Sequence, residues 1–145
     1  MKKILFVCLL NAARSQAAEA LFKFYASATL STSIKGARLS DEWTAESAGM
    51  MSKQNLNPYV MEILTKRGVS MAGQFSKKID FTKLKEYDRV ISFVPFPKGG
   101  LHDDIKAKIK HWVIADPLGR PFEDTRDIVN MIDQKVRELV KELIS

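Results

Sequence analysis

Ile4-Leu5-Phe6-Val7-Cys8-Leu9-Leu10-Asn11-Ala12-Ala13-Arg14-Ser15 is the stretch on which the fold turns. Ile4 to Cys8 is a continuous apolar run, the pattern of a parallel strand buried on both faces. From Ser15 the spacing becomes helical. Ala18, Leu21, Phe22, Tyr25 and Ala28 share one face, and Ala17 and Ala20 add intrinsic propensity. The residues between are therefore a loop joining a strand to a helix. That loop starts at the chain's only cysteine and has C-x5-R-S spacing. Met1-Lys2-Lys3 ahead of the apolar run mimics a secretory signal. That apolar core is at the short limit, and Asn11 and Arg14 follow it without a convincing cleavage site, so a buried first strand is the better reading.

Downstream, residues 29–42 are polar and read as a loop or small excursion. Trp43 to Ala48 reads as a second strand, ended by Gly49. Pro58 opens a helix through Val60, Ile63 and Leu64 to about Arg67, with Gly68 as its stop. Phe81 to Leu84 reads as a short helix and Arg89 to Val94 as a third strand. Pro95, Pro97, Gly99 and Gly100 mark a loop. His111 to Ala115 reads as a fourth strand, broken by Asp116-Pro117. Ile128, Ile132, Val136, Leu139, Val140 and Leu143 form the stripe of a final amphipathic helix. This alternation predicts an α/β fold of three layers, a four-stranded parallel sheet flanked by helices. At 145 residues the expectation is one domain, residues 1–145.

The composition is 46% hydrophobic and 28% charged, an ordinary globular balance. No other stretch approaches the length of a membrane span. One cysteine forms no internal disulfide, which suits a reducing, cytoplasmic setting. The net charge of +6 serves solubility or draws in anionic substrates. The Lys and Arg residues are scattered, with no basic run interleaved with aromatics, so nucleic acid is not an expected partner. His102 and His111 have no partner at ligand spacing and read as structural or surface residues. No metal and no cofactor are expected, and the chain is expected to be a monomer.

A thiol acts as a nucleophile only as its thiolate. The N-terminus of a helix offers partial positive charge and unpaired N–H donors, the surroundings an anion requires. The N–H groups of Leu9, Leu10, Asn11, Ala12, Ala13, Arg14 and Ser15 can converge on one tetrahedral oxyanion. Arg14 adds a bidentate clamp, and the Ser15 hydroxyl can donate to the Cys8 sulfur. Asn11 tolerates the left-handed backbone such loops use. Attack at phosphorus also needs an acid for the leaving oxygen. Asp116 is the candidate, because it follows a predicted strand as Cys8 does, and ligands bind at the carboxyl ends of parallel strands.

These motifs resemble the low-molecular-weight protein tyrosine phosphatase superfamily, and within it the thioredoxin-coupled arsenate reductase branch. Phe6-Val7-Cys8 through Asn11 to Arg14-Ser15-Gln16 and Ala18-Glu19 is similar to that family's phosphate loop and first helix. Ser47-Ala48-Gly49, Leu56-Asn57-Pro58, Gly68-Val69 and Ser76-Lys77-Lys78-Ile79 are similar to its middle. His111-Trp112, Asp116-Pro117, Gly119, Pro121 and Thr125-Arg126-Asp127 are similar to its last third. The resemblance implies a low-molecular-weight phosphatase fold, with Cys8 as nucleophile, Arg14 as transition-state clamp and Asp116 as general acid. It also implies that Asn11 supports the loop and Ser15 the thiolate.

The chain departs from the pattern in three places. Reductases of that branch use two further cysteines near the third strand, where this chain has Ser92-Phe93-Val94-Pro95-Phe96-Pro97. The usual third loop glycine is Leu10, which predicts a narrowed or shifted loop. Leu118-Gly119 stand where phosphatases carry ring-walling aromatics, leaving Phe96 and Trp43 as candidate walls. The leading expectation is a cysteine-dependent phosphatase acting on phosphotyrosine or small aryl phosphates through a thiophosphoryl intermediate. The alternatives are an arsenate reductase served by an external thiol and a non-catalytic module that binds an oxyanion or phosphoprotein. The expected partner is a phosphorylated protein or a small oxyanion such as phosphate or arsenate.

Overall fold

The computed structural model describes residues 1–52 and 55–144. Its strands are β1 (Lys2–Cys8), β2 (Trp43–Gly49), β3 (Arg89–Ser92) and β4 (Ile109–His111). All pair in parallel, in the order β2-β1-β3-β4. The helices are α1 (Arg14–Ala28), α2 (Pro58–Lys66), α3 (Asp103–Lys106) and α4 (Phe122–Ile144), and 3-10 turns span Leu39–Asp41 and Phe81–Glu86.

β1 lies inside the sheet and is buried on both faces, hence its unbroken apolar run. Ile4, Phe6 and Cys8 join the larger core, which includes Phe22 of α1, Leu64 of α2 and Ile132 and Val136 of α4. Leu5 and Val7 join a smaller core with Ile79, Leu84, Val90 and Ile109. These two cores separate the three layers. α2 starts as its sequence dictates: the Asn57 side chain accepts the N–H groups of Tyr59 and Val60, and Pro58 occupies the first turn. The excursion before β2 is closed by a bridge between Leu30 and Arg38.

The fourth strand differs from the sequence reading: it runs Ile109–His111 instead of beginning at His111. β3 sets this limit. It ends at Ser92, which pairs with His111, and the Trp112 N–H closes onto the Ser92 carbonyl at 2.9 Å. Beyond that point β3 offers no ladder, and Val113 is 87% exposed despite its strand-like composition. β3 is likewise shorter than its apolar run, because the Ser92 hydroxyl takes the Val94 N–H. α3 forms in a stretch to which the sequence reading assigns no element, with Asp103 and Asp104 in its first turn.

β1 is bordered by β2 on one side and β3 on the other, so the chain reverses its direction of travel across the sheet there. Such a switch point opens a crevice beyond the carboxyl ends of the strands. Cys8 ends β1 at this crevice. Among the described residues no helix is long and apolar enough to cross a membrane.

Candidate active site

The loop after β1 is shaped by its carbonyl groups. Those of Cys8 and Leu9 accept the N–H groups of Met50 and Met51 at 3.0 and 2.8 Å. That of Leu10 accepts the Ser76 hydroxyl at 2.9 Å, and that of Asn11 accepts Gln16 Nε2 at 3.1 Å. Those of Ala12 and Ala13 accept the N–H groups of Asn57 and Ala17 at 2.7 and 2.8 Å. In a planar trans peptide the N–H points opposite to the carbonyl. The N–H groups of residues 9–14 are thus left on the other side, and none has an acceptor within the described residues. The loop is a ring of donors, as an oxyanion site requires.

Asn11 makes the turn. Its φ of 52° is the one positive value outside glycine among the described residues, and its side chain is fully buried. Its Oδ1 accepts the Lys77 N–H at 2.9 Å and Gln16 Nε2 at 2.8 Å. Its Nδ2 donates to Ser15 Oγ at 2.7 Å, and Ser15 Oγ lies 2.8 Å from Cys8 Sγ. With the Ser15 oxygen already accepting from Asn11, the hydroxyl proton is left for the sulfur. Gln74 Nε2 donates to Gln16 Oε1 at 2.7 Å, extending the chain of donors to a second loop. Leu10 is not in the left-handed region, so the loop forms without a glycine at that position.

Gly49, paired with Cys8, presses against this loop. A Cβ there would meet Asn11 N at 2.7 Å and the Leu10 carbonyl carbon at 2.8 Å. Behind the loop, burial pulls the Lys77 ammonium below the ordinary lysine range, partly offset by the carboxylate of Glu19. Glu19 itself is buried and accepts the Ser47 hydroxyl at 2.6 Å and the Lys23 ammonium at 2.7 Å.

Arg14 is buried at the start of α1. Its Nη1 donates to the carbonyls of Phe93 and Ile114 at 3.1 and 2.9 Å, and its guanidinium lies over the Phe93 ring. Nη2 and Nε form the edge that these two carbonyls leave uncovered. Nη2 is 3.5 Å from Asp116 Oδ2, and Asp116 Oδ1 accepts the Leu118 N–H at 2.9 Å. Cys8, Arg14 and Asp116 line one cavity of about 530 Å³, together with Leu9, Leu10, Ala12, Ala13, Leu56, Asn57, Tyr59, Leu118 and Arg120. Thus a sulfur, a guanidinium and a carboxylate from the ends of three chain segments share one space with a ring of N–H donors. This arrangement can hold a tetrahedral oxyanion, present a nucleophile to it and supply a proton.

Two expectations fail here. Trp43 begins β2, at the end of the sheet opposite Cys8. Phe96 packs on Phe81, with centroids 5.8 Å apart, under the smaller core. Neither lines the cavity. Its aromatic wall is Tyr59, set edge-on to Phe122. Tyr59 falls off the buried Val60–Ile63–Leu64 stripe of α2, and that exposed aromatic beside a helix start was the available signal. Gln74 and the Asn57 N–H were not identifiable as supports of the loop, because their partners Gln16 and Ala12 lie far away in sequence.

The family model described as low molecular weight phosphotyrosine protein phosphatase matches residues 3–145. An arsenate reductase of Shouchella clausii is 31% identical over 142 residues, spanning 94% of this chain and 88% of that protein. A glutaredoxin arsenate reductase of Synechocystis sp. is 26% identical over 147 residues, 99% of each chain. A low molecular weight protein tyrosine phosphatase from T. tengcongensis shares the fold, with a TM-score of 0.80 at 23% identity, over 99% of this chain and 100% of that one.

Proposed function

The chain belongs to the low molecular weight phosphotyrosine protein phosphatase family, and from that premise we propose that it hydrolyses phosphotyrosine or small aryl phosphate monoesters. It is an enzyme of a superfamily that holds both phosphatases and arsenate reductases. The observation that carries the phosphatase reading is the pairing, on one cavity, of the chain's single thiol with a carboxylate. That pairing supplies every group phosphoester hydrolysis uses and lacks a second thiol.

In the proposed reaction the Cys8 thiolate attacks phosphorus and the bond to the leaving oxygen breaks. Asp116 protonates that oxygen, leaving a thiophosphoryl group on Cys8. Asp116 then takes a proton from water, the oxygen of water bonds to phosphorus, and the phosphorus–sulfur bond breaks to release phosphate and the thiolate. The N–H groups of residues 9–14 and the free edge of Arg14 stabilise the charge on the equatorial oxygens throughout.

A second reading is supported by the relatives named arsenate reductase, one of them a glutaredoxin arsenate reductase. Here the Cys8 sulfur bonds to arsenic as one arsenate oxygen, protonated, leaves as water, and an external thiol then attacks the Cys8 sulfur and breaks the sulfur–arsenic bond. The two thiols become a mixed disulfide as arsenic(V) leaves as arsenite, and a further external thiol restores Cys8.

Hydrolysis of p-nitrophenyl phosphate and of phenyl phosphate by wild type, Cys8→Ser and Asp116→Asn decides between them. The phosphatase reading expects no turnover by Cys8→Ser. It expects kcat to fall about 10²- to 10⁴-fold in Asp116→Asn for phenyl phosphate, whose leaving group needs the proton more. Wild type no faster than Cys8→Ser would overturn it. Arsenate-dependent oxidation of added glutathione and glutaredoxin would then support the reductase. Phosphate binding with neither activity would mark a non-catalytic oxyanion-binding module.

A further inference from the structure

Arg120 stands on the wall of the Cys8 cavity and takes no part in the chemistry above. Its N–H closes a turn onto the Pro117 carbonyl at 3.0 Å, and its Nε donates to the Asp116 carbonyl at 2.9 Å. The guanidinium is thereby tethered beside the acid, while its two terminal nitrogens have no acceptor among the described residues. No carboxylate pairs with it, although Asp116, Glu123 and Asp124 are near in sequence. The cavity's other guanidinium, that of Arg14, is committed to the Phe93 and Ile114 carbonyls and lies 3.5 Å from the Asp116 carboxylate. The cavity thus holds one cation for the reacting oxyanion and a second, pre-oriented one beyond the acid.

We propose that Arg120 is the subsite for a second anion, so that the preferred substrate is an aryl phosphate bearing a carboxylate beyond its ring, as in phosphotyrosine flanked by Asp or Glu. The proposal rests on the phosphatase reading and names its substrate class. Tyr59 and Leu118 supply apolar wall for the ring, and Arg120 supplies the charge that an acidic neighbour would meet. A tethered guanidinium loses little side-chain freedom on binding, which favours it over a free surface lysine.

The test compares phosphotyrosine tripeptides with Glu, Ala or Lys on both sides of the phosphorylated residue, at low salt. In wild type, kcat/KM for the Glu peptide should exceed that for the Ala peptide by about threefold, as exposed ion pairs give, with the difference in KM. The Lys peptide should be poorest. In Arg120→Gln the three values should converge, and in Arg120→Lys part of the preference should return. The ratio within one variant is insensitive to any general effect on Asp116. The same peptides titrated into Cys8→Ser read the subsite through binding alone. If no peptide is hydrolysed yet that variant prefers Glu, the phosphatase reading fails while the subsite stands. Equal binding and turnover of Glu and Ala peptides by wild type, or an undiminished preference in Arg120→Gln, would overturn the proposal.

Discussion

Replacing Gly49 by alanine tests whether the oxyanion loop is held from beneath. The added Cβ would sit 2.2 Å from the Met51 carbonyl oxygen, 2.7 Å from Asn11 N and 2.8 Å from the Leu10 carbonyl carbon. All three are backbone atoms, and ordinary contact begins at 3.4 Å. Gly49 itself has little room to retreat, because its N–H is bonded to the Lys77 carbonyl and its carbonyl to the Ile79 N–H, both at 2.8 Å. The loop must therefore give way by more than half an ångström. Misplacement of a site by about 1 Å costs roughly 10²-fold in rate, so a loss of about 10- to 100-fold in kcat/KM is expected, or roughly 1.4–2.7 kcal/mol. Overpacking should also lower stability by about 1–3 kcal/mol. The assays are p-nitrophenyl phosphate turnover, inhibition by inorganic phosphate and the urea midpoint. Turnover and phosphate affinity should fall together, since the donors move and the nucleophile remains. Gly99→Ala, where a Cβ meets nothing within 4 Å, is the control and should change none of the three. Wild-type phosphate affinity and an unshifted midpoint in Gly49→Ala would refute the buttress.

Asn11→Ala combines a left-handed backbone, costing about 1–2 kcal/mol for alanine, with one buried donor, the Lys77 N–H, left unpaired, so urea melts should show a loss of about 3 kcal/mol. Asn11→Gly should recover about 1 kcal/mol of that, and equal losses in the two variants would argue against backbone strain. Tyr25 donates to Asp133 at 2.6 Å between α1 and α4, and burial, followed by that carboxylate, raises its pKa to about 12. A raised phenol pKa means that its contribution is complete below pH 10 and is lost as pH rises through about 12. Tyr25→Phe should therefore be about 1 kcal/mol less stable than wild type at pH 8 in urea melts. The gap should close between pH 10 and 12, and a gap constant to pH 12 would count against the bond.

Cooperation between neighbours in the chain made much of this protein readable. Ile4 to Cys8 announces a strand buried on both faces because both faces are in fact cores. The turn to helical spacing at Ser15 locates the loop, and Cys8, Arg14 and Asp116 meet at one cavity because parallel strands deliver their carboxyl ends to one crevice. The errors lie where a distant partner decides. The last strand is cut to Ile109–His111 by the length of β3, which nothing in residues 109–115 encodes. Phe96 and Trp43 are aromatic enough to wall a ring, but the register of β2 and the packing on Phe81 send them elsewhere. The anchoring of the Leu10 carbonyl by Ser76 and of the Ala12 carbonyl by the Asn57 N–H spans loops that sequence pattern does not pair.

The outward carbonyls of residues 8–13 have a thermodynamic consequence. They are gripped by residues 50–51, 57, 76 and the first turns of α1, so the donor ring exists only when those distant segments are docked together. An oxyanion that binds the ring therefore recognises the native chain and ignores the unfolded one. By mass action it stabilises the whole fold, adding about 1.4 kcal/mol for each tenfold rise in free anion above its dissociation constant. Phosphate, as product, would then act as a folding ligand, and thermal stability would report the anion content of the protein's surroundings.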